Sequence, residues 1–247
     1  MRILHISADF PDPLAPAKTR AVANLLALAP EHEHRVWSIN RVGWRHGIHA
    51  LDFGEGHRAV AYGAPPRGVR LAGGLARLAD FILEDAARAG VAPDAVHAHK
   101  LSVEGLVGAR VAQALGVPLL VSSQGNSDLK IIGARPDLRP RWRRIWRAAA
   151  AVFPFAPWTA DGLARLLGPR EGPVACLPCP TPEDRLLPPR ETGPVMRTAF
   201  HLAGHVNKRA VPLMRAVAAA AREVPDLRLE IAGGGGAEAF ATLSEAA

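Results

Sequence analysis

The chain has 247 residues, of which 49% are hydrophobic and 21% charged, and its 30 basic and 23 acidic residues give a formal net charge of +7. This composition excludes wholesale disorder, because the apolar content is sufficient for a sizeable core. Domains usually hold about 100 to 200 residues, so the length suits one whole domain and part of another. The positive charge is compatible with binding of phosphates, lipid headgroups or nucleic acid, and equally with a basic composition that serves no ligand.

The chain shows no export signal and no membrane-spanning segment. Met1–Ser7 is followed at once by the polar, proline-containing ADFPDP and lacks the apolar length of roughly 7 to 15 residues that a signal peptide needs. The most apolar later stretch, AAAAVFPFAPWTA from Ala148, is interrupted by Pro154 and Pro157 and is shorter than the ~20 residues of a transmembrane helix. We therefore expect a cytoplasmic protein.

Short runs rich in Ile, Val and Leu alternate with longer segments of helical periodicity along most of the chain. This alternation predicts an α/β fold with a doubly wound parallel sheet covered by helices on both faces, a Rossmann-like arrangement. The runs predict strands at Arg2–Ser7, His34–Asn40, Arg58–Tyr62, Ala95–Ala98, Pro118–Ser123, Val152–Phe155 and Val174–Leu177. The periodic segments predict helices at Lys18–Ala29, Leu71–Ala89, Ser102–Leu115, Pro140–Ala150 and Thr159–Leu167.

A proline-rich stretch divides the chain. Pro178–Pro194 contains six prolines, each of which fixes its own backbone and disfavours helix at the residue before it, so we predict an extended connector. The domain boundary is placed here, between residues 1–185 and 186–247. Beyond it the alternation restarts, which predicts the incomplete start of a second Rossmann-like domain. Its predicted elements are a strand at Thr198–Ala203, a helix at Lys208–Val224, a strand over LRLEIAG and a short last helix after the glycine run.

The loop GHVNKR after the restarted strand is a candidate anion site. In open parallel sheets, ligands bind beyond the carboxyl ends of the strands, where helix amino termini meet. Gly204 ends the predicted strand, and Lys208 and Arg209 stand at the amino end of the next helix, where free N–H groups and cations suit a diphosphate. The alternative is that both cations are ordinary solvated surface charges.

Two close pairs of potential metal ligands stand out. His97 and His99 lie two apart on a predicted strand and point to one face, but a metal site needs three or four ligands and no further ligand is evident. We therefore expect no metal, with one histidine facing a cleft and the other packed. Cys176 and Cys179 have the spacing of redox motifs and half zinc sites, yet the surrounding prolines and the absence of a second pair favour two ordinary reduced thiols.

Two further motifs admit more than one function. Gly234, Gly236 and Ala239 match G-x-G-x-x-A between a strand and a helix, which fits a dinucleotide site or another phosphate-binding turn. Arg135–Arg147 interleaves six arginines with two tryptophans four residues apart, which suits contact with an anionic membrane surface or an exposed helix with its tryptophans in the core. No nucleic-acid-binding motif is found.

The loops together resemble the GT-B-fold retaining glycosyltransferases of family four. The resemblance spans nearly the whole chain and rests on the order and spacing of MRILHIS, EHEHRVWSI, PDAVHAHKLSVEGLVGARVAQALGVPLLVSSQGNSD and FHLAGHVNKRAVPLMRAVAAAAREVPDLRLEIAGGGG. It implies an amino-terminal acceptor domain, a carboxyl-terminal domain for a nucleoside diphosphate sugar, and metal-independent transfer in the cleft between them. The donor diphosphate is then expected at Gly204, His205, Lys208, Arg209 and Gly234.

The resemblance also implies roles on the acceptor side, where the chain departs from the family pattern. The first loop carries Lys18 and Thr19 in PLAPAKT where the family usually has glycines. The histidine expected after the fifth strand is Gln124, followed by Gly125 and Asn126. Gln124 donates hydrogen bonds but cannot titrate. We assign the catalytic roles to His99 and Gln124, and the acceptor-side loops to Lys18, Thr19, Gly125 and Asn126.

The family's donor site includes two glutamates in an E-x-x-x-x-x-x-x-E motif, which is expected beyond Ala247. The matches within the chain, Glu183 with Glu191 and Glu230 with Glu238, lie in the connector and across the glycine turn, and we read them as accidental. We expect a chain truncated in its donor domain, with little transfer activity and a sheet edge prone to association. The alternative functions are a non-catalytic module that binds a glycan or lipid-linked acceptor and, less favoured, an NAD-dependent oxidoreductase.

Overall fold

The computed structural model describes residues 1–65, 68–124, 126–181 and 193–245, and the chain divides into two compact units, Met1–Asp184 and Arg185–Ala247. The first unit is built on a seven-stranded sheet with the order β3-β4-β2-β1-β5-β6-β7. Its strands are β1 (Arg2–Ser7), β2 (Glu33–Val42), β3 (His49–Phe53), β4 (His57–Gly63), β5 (Ala95–Ala98), β6 (Leu119–Ser123) and β7 (Ala151–Pro154).

The predicted α/β fold with a mostly parallel sheet is confirmed, with one exception at the edge. β3 pairs antiparallel with β4 through a short turn containing Gly54 and Gly56, both with positive φ. The sequence did not predict β3 because HALDF is short, and three of its five residues, at the sheet edge, are exposed. The predicted strand Val174–Leu177 is reduced to a single bridge between Val174 and Val152.

The described residues of this unit contain six α-helices that connect or follow the strands. They are α1 (Ala21–Ala27), α2 (Leu71–Arg88), α3 (Glu104–Leu115), α4 (Ser127–Ala134), α5 (Arg139–Ala148) and α6 (Pro157–Leu167). Two differ from the predictions: α1 begins at Ala21 rather than Lys18, since the prolines of the preceding loop hold it in turns, and α4 was not predicted. The main core is formed where β1, β5 and β6 pack against α2, α3, α5 and α6.

The strand order reverses beside β1. From β1 the chain winds outward through β2 to β4, and then returns to pair β5 on the other side of β1 before continuing to β6 and β7. The carboxyl ends of β1 and β5 therefore lie side by side with their loops leaving in opposite directions. Such a topological switch point is where open α/β sheets bind their ligands.

The second unit, described for residues 193–245, contains a two-stranded parallel sheet of β8 (Val195–Ala199) and β9 (Arg228–Ala232), with α7 (Ala210–Ala220) and α8 (Ala237–Glu245). The predicted strand Thr198–Ala203 was misplaced, because the chain leaves the sheet after Ala199 and turns in a short 3-10 helix at Leu202–Gly204. The helix predicted from Lys208 begins at Ala210.

Among the described residues of both units, none of the helices is both long enough and apolar enough to span a membrane. The longest helix, α2, has one buried face and one solvent-facing polar face.

Candidate functional site

An ion pair spans the switch point. Asp9 follows β1 and Lys100 follows β5, and the Lys100 Nζ lies 2.5 Å from a carboxylate oxygen of Asp9. Both side chains keep some solvent access, with 26% of Asp9 and 17% of Lys100 exposed. Burial lowers the pKa of Lys100, but Glu104 and Asp9 outweigh it and raise that pKa, so the ammonium stays charged. This pair is the charged feature of the sheet edge that a ligand can reach.

Directly beneath this pair, Glu104 is completely buried in the first turn of α3. Its Oε1 accepts a hydrogen bond of 3.0 Å from the Ala8 N–H, at the end of β1, whereas its Oε2 has no partner among the described residues. Burial raises the pKa of Glu104 to about 7, against the partly compensating attraction of Lys100. Glu104 thus ties α3 to the loop after β1 through a carboxyl that is half protonated near neutral pH.

The loop after β1 is closed by a second buried charge. Lys18 Nζ donates to Asp12 Oδ2 at 2.8 Å and to Ser38 Oγ at 2.9 Å, and Asn40 donates to the same carboxylate oxygen at 2.9 Å. Burial opposes ionisation of Asp12, but hydrogen bonds from Lys18, Ser38 and Asn40 lower its pKa below the ordinary value. Lys18 therefore fastens the loop to β2. The neighbouring Thr19 is exposed, and its hydroxyl accepts from the Ala21 N–H at 3.3 Å.

The loops after β5 and β6 are joined by Asp128 at the start of α4. Its buried carboxylate accepts from the Leu101 N–H at 3.0 Å and from the Ser102 N–H at 2.8 Å. Gln124 directly follows β6 and is partly exposed, and Asn126 is exposed just before α4. Gly125 lies outside the described residues. The structure thus brings Gln124 and Asn126 to the same sheet edge as the Asp9–Lys100 pair.

His97 and His99 were expected to place one ring in a cleft at this edge, and the structure contradicts that expectation. His99 is completely buried and His97 is 6% exposed, so neither ring faces a cleft. Both rings lie on the same face of the sheet, with centroids 4.2 Å apart, and His5 of β1 packs against them. The expectation that no further metal ligand stands near the pair was wrong, since His5 completes a group of three. His97 and His99 share a face as predicted, but the covering layer closes over them.

The tryptophans of Arg135–Arg147 belong to the core. Trp142 and Trp146 are buried on α5, and their indole N–H groups each donate at 3.0 Å, to the Ser102 and Gly168 carbonyls. The structure therefore agrees with the prediction of an exposed helix whose tryptophans lie in the core. Arginines remain on the outer face, exposed at positions 141, 143, 144 and 147.

Cys176 and Cys179 are free thiols, both exposed, in the extended segment after α6. Partial burial and the nearby Asp9 carboxylate raise the pKa of Cys179, which favours the unreactive thiol form. Neither cysteine forms a disulfide, in keeping with two reduced thiols.

In the second unit, the loops after β8 and β9 meet at the carboxyl edge of the small sheet. The Leu202 N–H donates to the Gly234 carbonyl at 2.9 Å, which joins the two loops. Lys208 and Arg209 are exposed just before α7, and Arg209 has a left-handed backbone with φ of 53°. His205 Nδ1 lies 3.0 Å from the Leu202 carbonyl.

The structure thus brings the predicted donor-side residues together. Gly204, His205, Lys208, Arg209 and Gly234 all lie on these two loops. Among the described residues, the charged groups of Lys208 and Arg209 form no ion pair, whereas Arg197 pairs with Glu230 at 2.6 Å on the strands. A cationic loop with free charges at a helix amino terminus is a suitable setting for an anion.

Sequence reasoning missed the buried charges that build the first unit's edge. Asp9, Asp12, Lys100, Glu104 and Asp128 hold the loops, and Lys100, Glu104 and Asp128 do so through partners distant in the chain. A signal was present in the acidic residues at the starts of α3 and α4. A carboxylate in the first turn of a helix is stabilised by the helix dipole, and its oxygens can accept hydrogen bonds from a neighbouring loop. Its partner could not be read without the sheet order.

The fold defines the chain as a Rossmann-like α/β protein, and its candidate ligand sites lie at the carboxyl ends of the strands. The model of the glycosyl transferase 4-like domain matches residues 17–180, about two thirds of the chain. The chain belongs to this glycosyltransferase family, as its sequence resemblance indicated.

Solved structures with the GT-B fold are similar to the chain. A structure of sucrose-phosphate synthase from Thermosynechococcus elongatus matches the whole chain and 68% of its own, with a TM-score of 0.58 and 16% identity. Another structure of that synthase matches 73% of this chain and 90% of its own, with a TM-score of 0.49 and 17% identity. A search of curated protein sequences gave no significant match.

Proposed function

We propose that the protein transfers a sugar from a nucleoside diphosphate sugar to a glycan, lipid-linked or small-molecule acceptor, with retention of anomeric configuration and without a catalytic metal. Its membership of the glycosyl transferase 4-like family carries the transferase part of the proposal. The cationic loop between β8 and α7 supports the nature of the donor, since Lys208 and Arg209 stand exposed at a helix amino terminus.

On the donor side, the developing negative charge of the leaving diphosphate needs stabilisation. Lys208 and Arg209 can supply it, together with backbone N–H groups of the glycine-containing loops at Gly204 and Gly234. His205 adds a ring nitrogen, although its Nδ1 is already close to the Leu202 carbonyl. In this proposal these cations take the place that a divalent ion holds in other transferases, so transfer needs no catalytic metal.

On the acceptor side, the Asp9–Lys100 pair, Gln124 and Asn126 are the polar groups at the switch point. Gln124 can orient an acceptor hydroxyl by hydrogen bonds but cannot remove its proton. His99 is buried behind this edge, and we propose that it supports the edge from within the core. Lys18 and Thr19 shape the loop after β1, and Lys18 does so through the Asp12 carboxylate.

A transfer assay with UDP-, GDP- and ADP-sugars on the purified protein tests the proposal. We expect turnover with one nucleotide class and no change when Mg²⁺ or Mn²⁺ is added. Lys208→Ala should lower kcat/KM at least about 100-fold, the usual cost of losing one donor to developing charge. Arg222→Ala, an exposed arginine beyond the far end of α7, is the matched control and should have no effect. An unchanged rate in Lys208→Ala contradicts the donor site.

A non-catalytic acceptor-binding module is the second candidate. Gln124 favours it, because glutamine cannot act as an acid or base at the position where a histidine was expected. In that case the folded protein binds a glycan or lipid-linked sugar by calorimetry, and no nucleoside diphosphate sugar is consumed. Detectable transfer with any donor eliminates this candidate.

We also propose a peripheral contact with anionic membranes through the outer face of α5. Exposed arginines are present there, and the tryptophans are not, so the contact is electrostatic alone. Sedimentation with phosphatidylglycerol vesicles should fall steeply between low and high salt. Arg141→Glu with Arg144→Glu should abolish it, whereas salt-independent binding would contradict the electrostatic contact.

A further inference from the structure

Three histidines converge in the interior of the first unit, beneath the switch point. His5 lies on β1, His97 on β5, and His99 directly after β5, and all three rings are buried. One ring nitrogen from each lies within 4.8 Å of the others. Because the two strands are hydrogen-bonded neighbours, the sheet holds these nitrogens in place without any ligand.

The hydrogen bonds around His5 determine which of its nitrogens has the lone pair. The Ala29 carbonyl can only accept, so His34 Nε2, 2.8 Å away, donates to it. His34 Nδ1 is then an acceptor for the His5 Nε2–H at 2.9 Å. In neutral His5 the remaining nitrogen, Nδ1, carries a lone pair, and it faces His99 Nε2 at 3.0 Å.

Of the other two rings, only His97 has an orienting hydrogen bond to a described residue outside the cluster. His97 Nε2 bonds the Ser122 hydroxyl at 2.8 Å, which leaves Nδ1 for the interior of the cluster. His99 Nδ1 is buried and has no hydrogen-bond partner among the described residues. Metal-binding histidines characteristically use one nitrogen for such an orienting hydrogen bond and the other for the metal.

The surroundings keep the imidazoles in the form that binds metals. Burial lowers the pKa of His97 to about 4 and holds the pKa values of His5 and His99 well below their ordinary range. The nearest cation, Lys100, is neutralised by Asp9 at 2.5 Å. Burial therefore favours the neutral form of the three rings, which is the form that can bind a metal ion.

We propose that His5, His97 and His99 form a buried structural site for a transition-metal ion that prefers imidazole ligands, with Zn²⁺ as the representative. Two nitrogens 3.0 Å apart can share either one proton or one metal ion, and a third imidazole nearby favours the metal. The ion would fasten β1 to β5 below the ligand-binding edge. This inference is independent of the proposed transfer reaction and of its metal independence, because all three rings are buried and none is exposed at the ligand-binding edge.

The test measures zinc directly. The chain is purified without affinity metals, and its zinc content and the competition with a chromogenic chelator are measured. We expect one equivalent of Zn²⁺ per chain, at least about 100-fold weaker binding in His97→Gln, and about 10- to 100-fold weaker binding in His34→Leu, which removes the acceptor that orients His5. His49→Gln, on the exposed edge strand, is the matched control and should bind as the wild type.

A second measurement does not depend on the folding of any variant. Co²⁺ added to the metal-free wild type should give the visible absorption of a low-symmetry nitrogen-ligated site, and one equivalent of Zn²⁺ should abolish it. A folded wild type with no stoichiometric Zn²⁺ and no Co²⁺ spectrum would overturn the proposal and leave a proton-bridged histidine network. Equal zinc affinity in His97→Gln and wild type would overturn it as well.

Discussion

Replacing Glu104 by glutamine should remove a pH dependence of stability that the fold has built in. The pKa of this carboxyl rises from its ordinary value of 4.5 to about 7 in the folded protein, mainly because burial disfavours the charged form. A group with a raised folded pKa binds its proton more tightly in the folded state. Its stabilising contribution is fully present below pH 4.5 and is lost as the pH rises through 7.

The difference between the two pKa values corresponds to about 3 kcal/mol at 1.36 kcal/mol per pKa unit. Wild-type unfolding free energy should therefore fall by up to about 3 kcal/mol between pH 4.5 and 8 through this group alone. Glutamine resembles the protonated carboxyl, because its oxygen can accept from the Ala8 N–H and its amide replaces the partnerless Oε2. Glu104→Gln should lose this part of the pH dependence and be the more stable protein at pH 8.

Urea titrations followed by tryptophan fluorescence provide the assay. All five tryptophans lie in residues 1–184, so the signal reports the first unit. The quantity that isolates Glu104 is the wild-type minus variant free energy at each pH, since other titrating groups cancel. Glu84→Gln, on the exposed face of α2, is the control and should follow the wild type. Parallel wild-type and Glu104→Gln curves from pH 4.5 to 8 would refute the reasoning.

Three further substitutions test the buried charges and the core. Asp128→Ala leaves two buried backbone N–H donors without an acceptor and should cost at least about 2 kcal/mol in urea unfolding; a cost under about 0.5 kcal/mol would contradict its role. Lys18→Met removes the cation beside the buried Asp12 carboxylate, which keeps only neutral hydrogen-bond donors among the described residues, and should destabilise by about 3 kcal/mol at pH 7, with a smaller effect as the pH falls through the pKa of Asp12. Trp142→Ala should cost about 3 to 5 kcal/mol by calorimetry without weakening vesicle binding, and a loss of vesicle binding by the folded variant would place the ring at a membrane instead.

The two candidate ligand edges are built differently. In the first unit the charges at the edge are already paired within the protein, as in Asp9 with Lys100. In the second unit Lys208 and Arg209 have no ion-pair partner among the described residues. A cation without an ion-pair partner is available to bind a multiply charged anion. A cation that is already paired with a carboxylate is better suited to hydrogen bonding with an uncharged ligand. This contrast agrees with a proposed diphosphate on one edge and a hydroxylated acceptor on the other.

Periodicity was sufficient to predict the buried strands and the long helices, because a parallel strand is apolar throughout and an amphipathic helix repeats every 3.6 residues. It failed for β3 and α4, where the run is short, and for the position of β8, where the apolar AFHLA continues past the end of the strand. Local pattern determines which segments can bury a face, and hydrogen bonds to distant segments determine where the pairing stops.

The sequence by itself determined the class of fold and the family, since these depend on the order of elements along the chain. Only the tertiary structure decided what each side chain does. His99 was predicted to be catalytic but is buried against His5. Lys18 was predicted to contact the acceptor but donates a hydrogen bond to Asp12. The physical reason is that burial and charge pairing join residues far apart in the chain. His5 and His99 are 94 positions apart, and only the pairing of β1 with β5 brings their nitrogens to 3.0 Å.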